Sequence, residues 1–231
     1  MEQKLAEKII TDTARGYDLI SEKFTQTRNH LWKDLEFIGS YCKRGDKVLD
    51  FGCGNGRLLD FLGKKGIDYT GVDISAKLLK EAQNQFRGPG IEFQKISGLD
   101  SLPLEDNSFN VIYAIAVFHH LPSREMRKKM AAELYRILKP EGTIVITVWN
   151  LWQKKYWRNI LFNWEEKILG RSFLDWNDCY INFQDNRNNI FPRYHHAFTK
   201  RELAELFSQA GFSIGKCDTI NGKNIVLVGS K

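Results

Sequence analysis

One short segment constrains the fold of this chain more than any other: the glycine-rich turn Asp50-Phe-Gly-Cys-Gly-Asn-Gly56, which follows a short apolar run. Glycines at the carboxyl end of a strand let the backbone turn sharply and approach a ligand closely. Asp73 stands about twenty positions further on, at the end of the next predicted strand, where a carboxylate suits the hydroxyl groups of a ribose. The segment therefore predicts the nucleoside-binding end of an α/β sheet.

The spacing of the glycines argues against a dinucleotide site. A GxGxxG motif that begins at Gly52 needs its third glycine at position 57, where Arg57 stands. Asp50 precedes the first glycine by two residues, and an acid there suits a ligand that carries an ammonium group and no phosphate. S-adenosylmethionine has that character, since it joins adenosine to a sulfonium and an amino-acid tail. The predicted cofactor-binding residues of this part are Asp50, Gly52, Gly54, Gly56 and Asp73.

Strands and helices alternate along most of the chain. Apolar residues at helical spacing predict two helices in the first forty residues, and five strands with intervening helices follow up to residue 148. This alternation is typical of a doubly wound parallel sheet. Two last strands, at residues 212–218 and 225–229, flank Asn221-Gly222, a pair that favours a tight hairpin. The predicted fold is α/β: a Rossmann-like, mostly parallel seven-stranded sheet with an antiparallel C-terminal hairpin and a helical aromatic lid insertion.

The length of 231 residues suits one domain, residues 1–231, with a single large core. Its predicted parts are N-terminal helices (1–44), a cofactor-binding core (45–149), a lid or substrate insertion (150–198), and a C-terminal helix and hairpin (199–231).

The insertion has an unusual composition. Twelve of the 48 residues from 151 to 198 are aromatic, against 13% of the whole chain. Nine basic and five acidic residues lie between 151 and 201, so +4 of the net charge of +6 falls in this segment. Aromatic rings interleaved with arginine and lysine can stack bases and hold phosphates. The same rings can instead pack on the sheet as a lid over a small molecule, and both interpretations stay open.

The core resembles the class I S-adenosylmethionine-dependent methyltransferases over roughly residues 45–149 and the terminal hairpin. Besides the glycine-rich turn, the resemblance includes Ile115-Ala-Val-Phe-His-His-Leu121. It implies that the turn cradles the methionine part of the cofactor, with Asp73 on the ribose, Ile74 against adenine and Ile115 beside the methionine. Gly98 stands where the family usually has an acid that contacts adenine, and the backbone of Leu99 or Asp100 is expected to replace that contact.

Four shorter pieces resemble the tRNA wobble-uridine (5-carboxymethyluridine) carboxyl methyltransferase family. They are Tyr17-Asp-Leu-Ile-Ser-Glu-Lys-Phe-Thr-Gln-Thr-Arg28, Ala116-Val-Phe-His-His120, Thr147-Val-Trp149 and Arg193-Tyr-His-His-Ala-Phe-Thr-Lys-Arg-Glu-Leu203. That family converts the carboxylate of 5-carboxymethyluridine in the anticodon loop to a methyl ester. The resemblance implies a tRNA partner, a Tyr17 that covers the methionine end of the cofactor, and, as in some relatives, a small zinc-binding activator subunit.

The predicted catalytic residues are Arg28, His119, His120, Arg193 and His195. A carboxylate acceptor is ionised at neutral pH and needs no base, so the two arginines and a neighbouring histidine would orient it. A phenol, hydroxyl or amine would need a base, for which His119 or His120 is the first candidate. Two alternatives therefore stay open: O- or N-methylation of a small-molecule acceptor, and a catalytically silent nucleic-acid-binding module.

Composition excludes several other classes of protein. The longest apolar run has eight residues, Val111 to Phe118, which is less than half of a membrane span. Charged residues flank each apolar residue at the amino end, so we expect no signal peptide. The four cysteines lack the spacing of a disulfide framework or a zinc site. The sequence therefore predicts a cytoplasmic protein with no resident metal and no membrane partner.

Overall fold

The computed structural model describes residues 1–27, 32–96, 98, 101–186 and 190–231. Its strands are β1 (Lys47–Phe51), β2 (Asp68–Asp73), β3 (Ile91–Lys95), β4 (Phe109–Ile115), β5 (Leu138–Trp149), β6 (Asp178–Gln184), β7 (Ile190–His196), β8 (Ser213–Ile220) and β9 (Asn224–Ser230). Its α-helices are α1 (Gln3–Thr27), α2 (Arg57–Leu62), α3 (Ala76–Gln85), α4 (Arg124–Ile137), α5 (Lys154–Ile168) and α6 (Lys200–Gln209). The second predicted N-terminal helix is a 3-10 helix, Lys33–Tyr41.

Seven strands form one sheet in the order β3-β2-β1-β4-β5-β9-β8. The first five are parallel, whereas β9 runs antiparallel to both β5 and β8. Asn221 (φ 48°) and Gly222 (φ 69°) both adopt the left-handed conformation that a tight hairpin turn requires. The predicted mostly parallel seven-stranded sheet with its antiparallel C-terminal hairpin is thus confirmed.

Helices cover both faces of this sheet, which explains why the central strands are continuously apolar. Alternate residues of β4 point to opposite faces: Ile112 and Ala114 join a core with α4 and α6. Tyr113 and Ile115 join a second core with α2 and the 3-10 helix. None of the helices in the described ranges is both long and apolar enough to cross a bilayer.

The insertion is helical only in its first half. After α5, strands β6 and β7 form a separate two-stranded antiparallel hairpin, so the expectation of a helical lid holds for α5 and fails for residues 178–196. The physical reason is period-two alternation: Cys179, Ile181 and Phe183 are buried or half-buried, whereas the residues between them are exposed. The Phe191 ring of β7 packs where Gly16 of α1 has no side chain, which joins this hairpin to the N-terminal helix.

Candidate active site

A cleft of about 880 Å³, including its opening to solvent, lies at the carboxyl ends of β1, β2 and β4. Ligands bind at this edge in open α/β sheets. The floor comes from the turn after β1, and α1 forms one wall. Predicted site residues that line the cleft are Tyr17, Gly52, Gly54, Asp73, Ile74, Ile115, His119, His120 and Arg193. The structure therefore brings together most of the residues that the sequence singled out.

The turn after β1 needs glycine for a specific steric reason. Gly52 has φ +76°, and a Cβ atom there would overlap the side chain of Val117, in the loop after β4. The N–H groups of Gly52 and Cys53 donate to the Val72 carbonyl of β2 at 2.8 and 3.1 Å. Gly56 caps the amino end of α2 in a left-handed conformation and does not line the cleft. Close packing between the loops thus shapes the floor of the cleft.

Asp73 ties the two loops of the floor together. Its carboxylate accepts hydrogen bonds from the Gly54 N–H and the Ser75 N–H, each at 2.8 Å, and it lines the cleft. Burial raises the pKa of Asp73, while these N–H groups oppose that rise by stabilising the carboxylate. Ser75, the N-cap of α3, accepts from the Leu78 N–H with its side chain.

Asp50 lies beneath the turn rather than in the wall of the cleft. Its side chain is 2% exposed and accepts a hydrogen bond from the Tyr69 hydroxyl at 2.7 Å. Burial raises the pKa of Asp50 to about 7, against the opposing effect of the Tyr69 hydroxyl. Asp50 is therefore buried beside the cleft floor and is not among the residues that line the cleft, and its contact with an ammonium group stays a prediction.

The N-terminal helix closes the cleft from above. The Tyr17 hydroxyl lies 2.8 Å from Nε2 of His120. Asp18 accepts from the Ser75 hydroxyl at 2.7 Å and from the Lys77 N–H at 3.0 Å, so it holds α1 against the positive amino end of α3. These contacts fix Tyr17 over the site.

Backbone groups orient three buried histidines at the far wall. The Trp149 N–H donates to Nδ1 of His119 at 3.3 Å, which leaves the proton of the neutral ring on Nε2. Nδ1 of His120 donates to the Tyr194 carbonyl at 2.8 Å, and Nδ1 of His195 donates to the Arg193 carbonyl at 2.9 Å. His119 and His195 are stacked, with ring centroids 5.3 Å apart. Among the described residues, none provides a hydrogen-bond partner for Nε2 of His119 or Nε2 of His195.

These tautomers define what the histidines can do. Burial, together with the neighbouring His120, lowers the pKa of His119 and of His195 well below the usual value, so both rings are neutral at pH 7. His119 therefore carries its proton on Nε2, which is buried, and the lone pair of His120 already accepts from Tyr17. One nitrogen from each of the three rings lies within 4.8 Å of the others, but a metal ion needs a lone pair from each. This donor set does not fit a metal ion.

Arg193 is a buried cation in the wall of the cleft. It is 4% exposed, and none of the described carboxylates lies within 4.0 Å of its guanidinium. The guanidinium instead stacks on two rings, 5.4 Å from the centroid of Trp149 and 4.8 Å from that of Phe183. A buried charge without a counter-ion is costly, so this position suits an anionic ligand group.

The remaining predicted residues are not among those that the structure describes. Arg28 and Leu99 lie outside the described residues, as does Asp100. Among the described residues, the sequence interpretation missed Trp149, which lines the cleft beside Arg193. Its signal was available, because it ends β5 at the ligand-binding edge of the sheet. His196, the neighbour of His195, faces away and contacts Asp178 and Glu202, each at 2.7 Å.

Comparisons with known proteins agree with this geometry. A family model described as a methyltransferase domain matches residues 49–146. The chain is 31% identical over 206 residues to the tRNA (carboxymethyluridine(34)-5-O)-methyltransferase of Schizosaccharomyces pombe, covering 86% of this chain and 87% of that protein. A SAM-dependent methyltransferase from Methanosarcina mazei superposes with a TM-score of 0.71 at 23% identity, covering 87% of this chain and 98% of that one. A Haloferax volcanii methyltransferase in complex with the Trm112 methyltransferase activator gives 0.67 at 18%, covering 96% of both chains.

Proposed function

The chain belongs to the class I S-adenosylmethionine-dependent methyltransferases, in the family of the Schizosaccharomyces pombe enzyme, and from this premise we propose that it methylates a carboxylate on a modified wobble uridine of tRNA. Its activity is methyl transfer, and S-adenosylmethionine is its cofactor. The residues of the cleft floor fit that cofactor, since Asp73 and Ile74 follow β2 and the glycine turn brings backbone close to the ligand.

Arg193 is the observation that carries the choice of acceptor. A guanidinium that is buried at the cleft wall without a described carboxylate partner is ready to receive one from the substrate. Arginine binds a carboxylate through two parallel hydrogen bonds, which fixes its orientation as well as its position. A substrate carboxylate would therefore supply the counter-charge that this part of the chain lacks.

The histidines support the same acceptor because they offer no free base at the cleft. His119 carries its proton on Nε2, and the lone pair of His120 is held by Tyr17. The remaining lone pair belongs to His195, which is fully buried and does not line the cleft. A hydroxyl or amine acceptor needs a group that removes its proton, whereas a carboxylate is already ionised at neutral pH.

When bound, the cofactor would supply a methyl group activated by a sulfonium, and a neutral thioether would be the leaving group as the carboxylate oxygen takes the methyl group. The chain contributes alignment: Arg193 holds the acceptor, and Tyr17 closes the site from above. Alignment of two reactants can account for about 7–11 kcal/mol of the barrier. Donors that bound the acceptor equally in the ground and transition states would not speed the chemical step, so we expect Arg193 to act by orientation.

The test uses labelled S-adenosylmethionine and tRNA that carries 5-carboxymethyluridine at the wobble position. We expect label in an alkali-labile methyl ester, and tRNA that stays unlabelled would contradict the proposal. Arg193→Gln should lower kcat/KM for tRNA by about 10- to 150-fold, the value of a hydrogen bond to a charged group. The kcat/KM of Arg193→Lys should lie between those of the wild type and Arg193→Gln, because lysine keeps the positive charge but cannot form the two parallel hydrogen bonds of a guanidinium. Arg44→Gln, exposed at the opposite edge of the sheet, is the control.

The same variants separate a substrate role of Arg193 from a cofactor role. In calorimetry, Arg193→Gln should bind S-adenosylmethionine with the same Kd as the wild type, since the proposal places the guanidinium on the acceptor. A Kd that rises as steeply as kcat/KM falls would move Arg193 to the cofactor site.

A small-molecule acceptor is the second candidate, favoured by the apolar character of the cleft wall. Apolar side chains there include Ile10, Phe24, Phe51, Leu78 and Ile96. Salt separates the two candidates. Binding of tRNA should weaken steeply as salt rises because phosphate contacts release counterions, whereas binding of a neutral small molecule should hardly change.

The proposed reaction belongs in the cytoplasm and has an activator subunit as a second partner. The Haloferax volcanii neighbour was solved with such a subunit, and it covers nearly the whole of this chain. Adding a purified activator of that type to this chain and measuring tRNA methylation tests the partnership. An unchanged rate together with no complex in gel filtration would count against it.

A further inference from the structure

The outward face of the first half of α5 combines aromatic rings with cations. The rings of Trp157 and Phe162 are 53% and 65% exposed. Lys154, Lys155 and Arg158 are exposed beside them. We propose that this face, called here the α5 strip and made of these five residues, binds the RNA that flanks the methylated nucleotide. The proposal rests on the proposed function and adds a docking surface outside the cleft.

The cations of the α5 strip are available to an external anion. None of the described carboxylates lies within 4.0 Å of the head groups of Lys154, Lys155 or Arg158. The first acidic residue of α5 is Glu165, which follows the strip. From Lys154 to Phe162 the helix therefore carries three positive charges and no negative one, over about 12 Å at 1.5 Å per residue.

The start of α5 lies close to the wall of the cleft. Tyr156 of α5 stacks near Trp149, with ring planes 21° apart and centroids at 6.4 Å. Trp149 in turn lines the cleft next to Arg193. An RNA segment whose target base enters the cleft would thus meet the start of α5 with its neighbouring nucleotides.

The order of residues favours RNA over a lipid surface. The i, i+4 spacing places Lys154, Arg158 and Phe162 on one stripe of the helix, so cations and an aromatic ring share it. A helix that lies in a membrane interface keeps its cations on the face opposite to the apolar residues. Mixed aromatic and basic side chains instead match single-stranded nucleic acid, where bases stack and phosphates pair with cations.

The experiment measures binding of an anticodon stem-loop RNA, carrying 5-carboxymethyluridine, by fluorescence anisotropy at several salt concentrations. A charge variant combines Lys154→Gln, Lys155→Gln and Arg158→Gln. Its matched control combines Lys43→Gln, Arg44→Gln and Lys47→Gln, which removes the same charge at the opposite edge of the sheet. The slope of log Kobs against log salt should become shallower by about 2 in the charge variant, from three phosphate contacts at about 0.7 each. The control should keep the wild-type slope.

Two single substitutions, called here the aromatic variants, test stacking separately. Trp157→Ala and Phe162→Ala should each raise the Kd for the RNA about fivefold or more, the low end of measured base stacking. The indole N–H of Trp157 donates to the Trp152 carbonyl at 2.9 Å, so alanine also removes a structural contact. Trp157→Phe keeps a ring without that contact and should bind RNA nearly as well as wild type. If Trp157→Phe binds as weakly as Trp157→Ala, stacking is not the cause.

Methylation of the free 5-carboxymethyluridine nucleoside distinguishes the failure of this inference from that of the proposed function. All strip variants should methylate the nucleoside at the wild-type rate. If wild-type protein methylates neither nucleoside nor tRNA, the proposed function fails. If it methylates tRNA but the strip variants bind RNA like the control, the strip inference is wrong. A different result would overturn the inference: the wild type binds phosphatidylcholine–phosphatidylglycerol vesicles, and the aromatic variants lose this binding while their RNA binding is unchanged. That result would assign the strip to a membrane.

Discussion

Replacing His196 with leucine should destabilise the protein much more than breaking an equally short ion pair at the surface. His196 is 3% exposed, and its two ring nitrogens each lie 2.7 Å from a carboxylate, those of Asp178 and Glu202. The cluster joins the β6–β7 hairpin to α6, and Asp178 is completely buried.

The magnitude follows from that burial. After His196→Leu, the Asp178 carboxylate still accepts from the Asp175 N–H at 2.8 Å but loses its 2.7 Å hydrogen bond with the ring. Leaving a buried carboxylate without one of its hydrogen-bond partners costs about 3 kcal/mol. For a chain of 150–250 residues each kcal/mol lowers Tm by about 2–4 °C, so the expected decrease is about 6–12 °C. Glu202 adds little, because its side chain is 36% exposed and water can replace the ring.

Thermal and urea unfolding provide the assay, with Arg201→Leu as the matched control. Arg201 and Glu205 are 2.6 Å apart, slightly closer than the buried pair, yet their side chains are 88% and 53% exposed. Such a pair is worth about 1 kcal/mol or less. A decrease in Tm for His196→Leu no larger than that for Arg201→Leu would refute the reasoning. The double variant with Asp178→Leu should recover part of the loss, because no buried charge remains at that position.

Two further predictions concern the floor of the cleft. Burial raises the pKa of Asp50 to about 7, so the folded protein keeps a proton that the unfolded chain releases above about pH 4. The stability that this proton contributes is fully present below about pH 4 and is lost as the pH rises to 7. Asp50→Asn should therefore flatten the free energy of unfolding between pH 4 and 7 in urea titrations, and an unchanged slope would argue against a raised pKa. Gly52→Ala should abolish retention of S-adenosylmethionine in equilibrium dialysis, and the double variant with Val117→Ala should restore part of it, because it removes the side chain that the new Cβ overlaps. If the double variant restores nothing, the positive φ of residue 52, and not the overlap with Val117, prevents binding.

Features that depend on local chemistry could be predicted from the sequence. The glycine turn after β1, the Ser75 cap of α3 and the Asn221-Gly222 hairpin each follow from the conformations that a few adjacent residues allow. The alternation of strands and helices then limits the sheet order to a few arrangements, and the antiparallel end follows from the short turn. These inferences need no knowledge of distant contacts.

The roles of individual site residues could not be predicted, because they depend on residues far apart in the chain. His120 is held by Tyr17, 103 positions before it, and by the Tyr194 carbonyl, 74 positions after it. Asp50 has a carboxylate suited to a ligand, but it is buried and accepts a hydrogen bond from Tyr69, 19 positions after it. Spacing along the chain shows none of these contacts.

The β6–β7 hairpin explains why consecutive residues of one short segment have different roles. Side chains alternate along a strand, so Arg193 and His195 can share one face of β7 while His196 lies on the other. In the observed register His196 pairs with Asp178, and the ion contacts of His196 hold its face against α6. A slip of one residue would turn the His196 ring toward the cleft and withdraw the guanidinium from it. The buried cluster therefore stabilises the hairpin and, by fixing its register, also determines that the cleft receives the arginine.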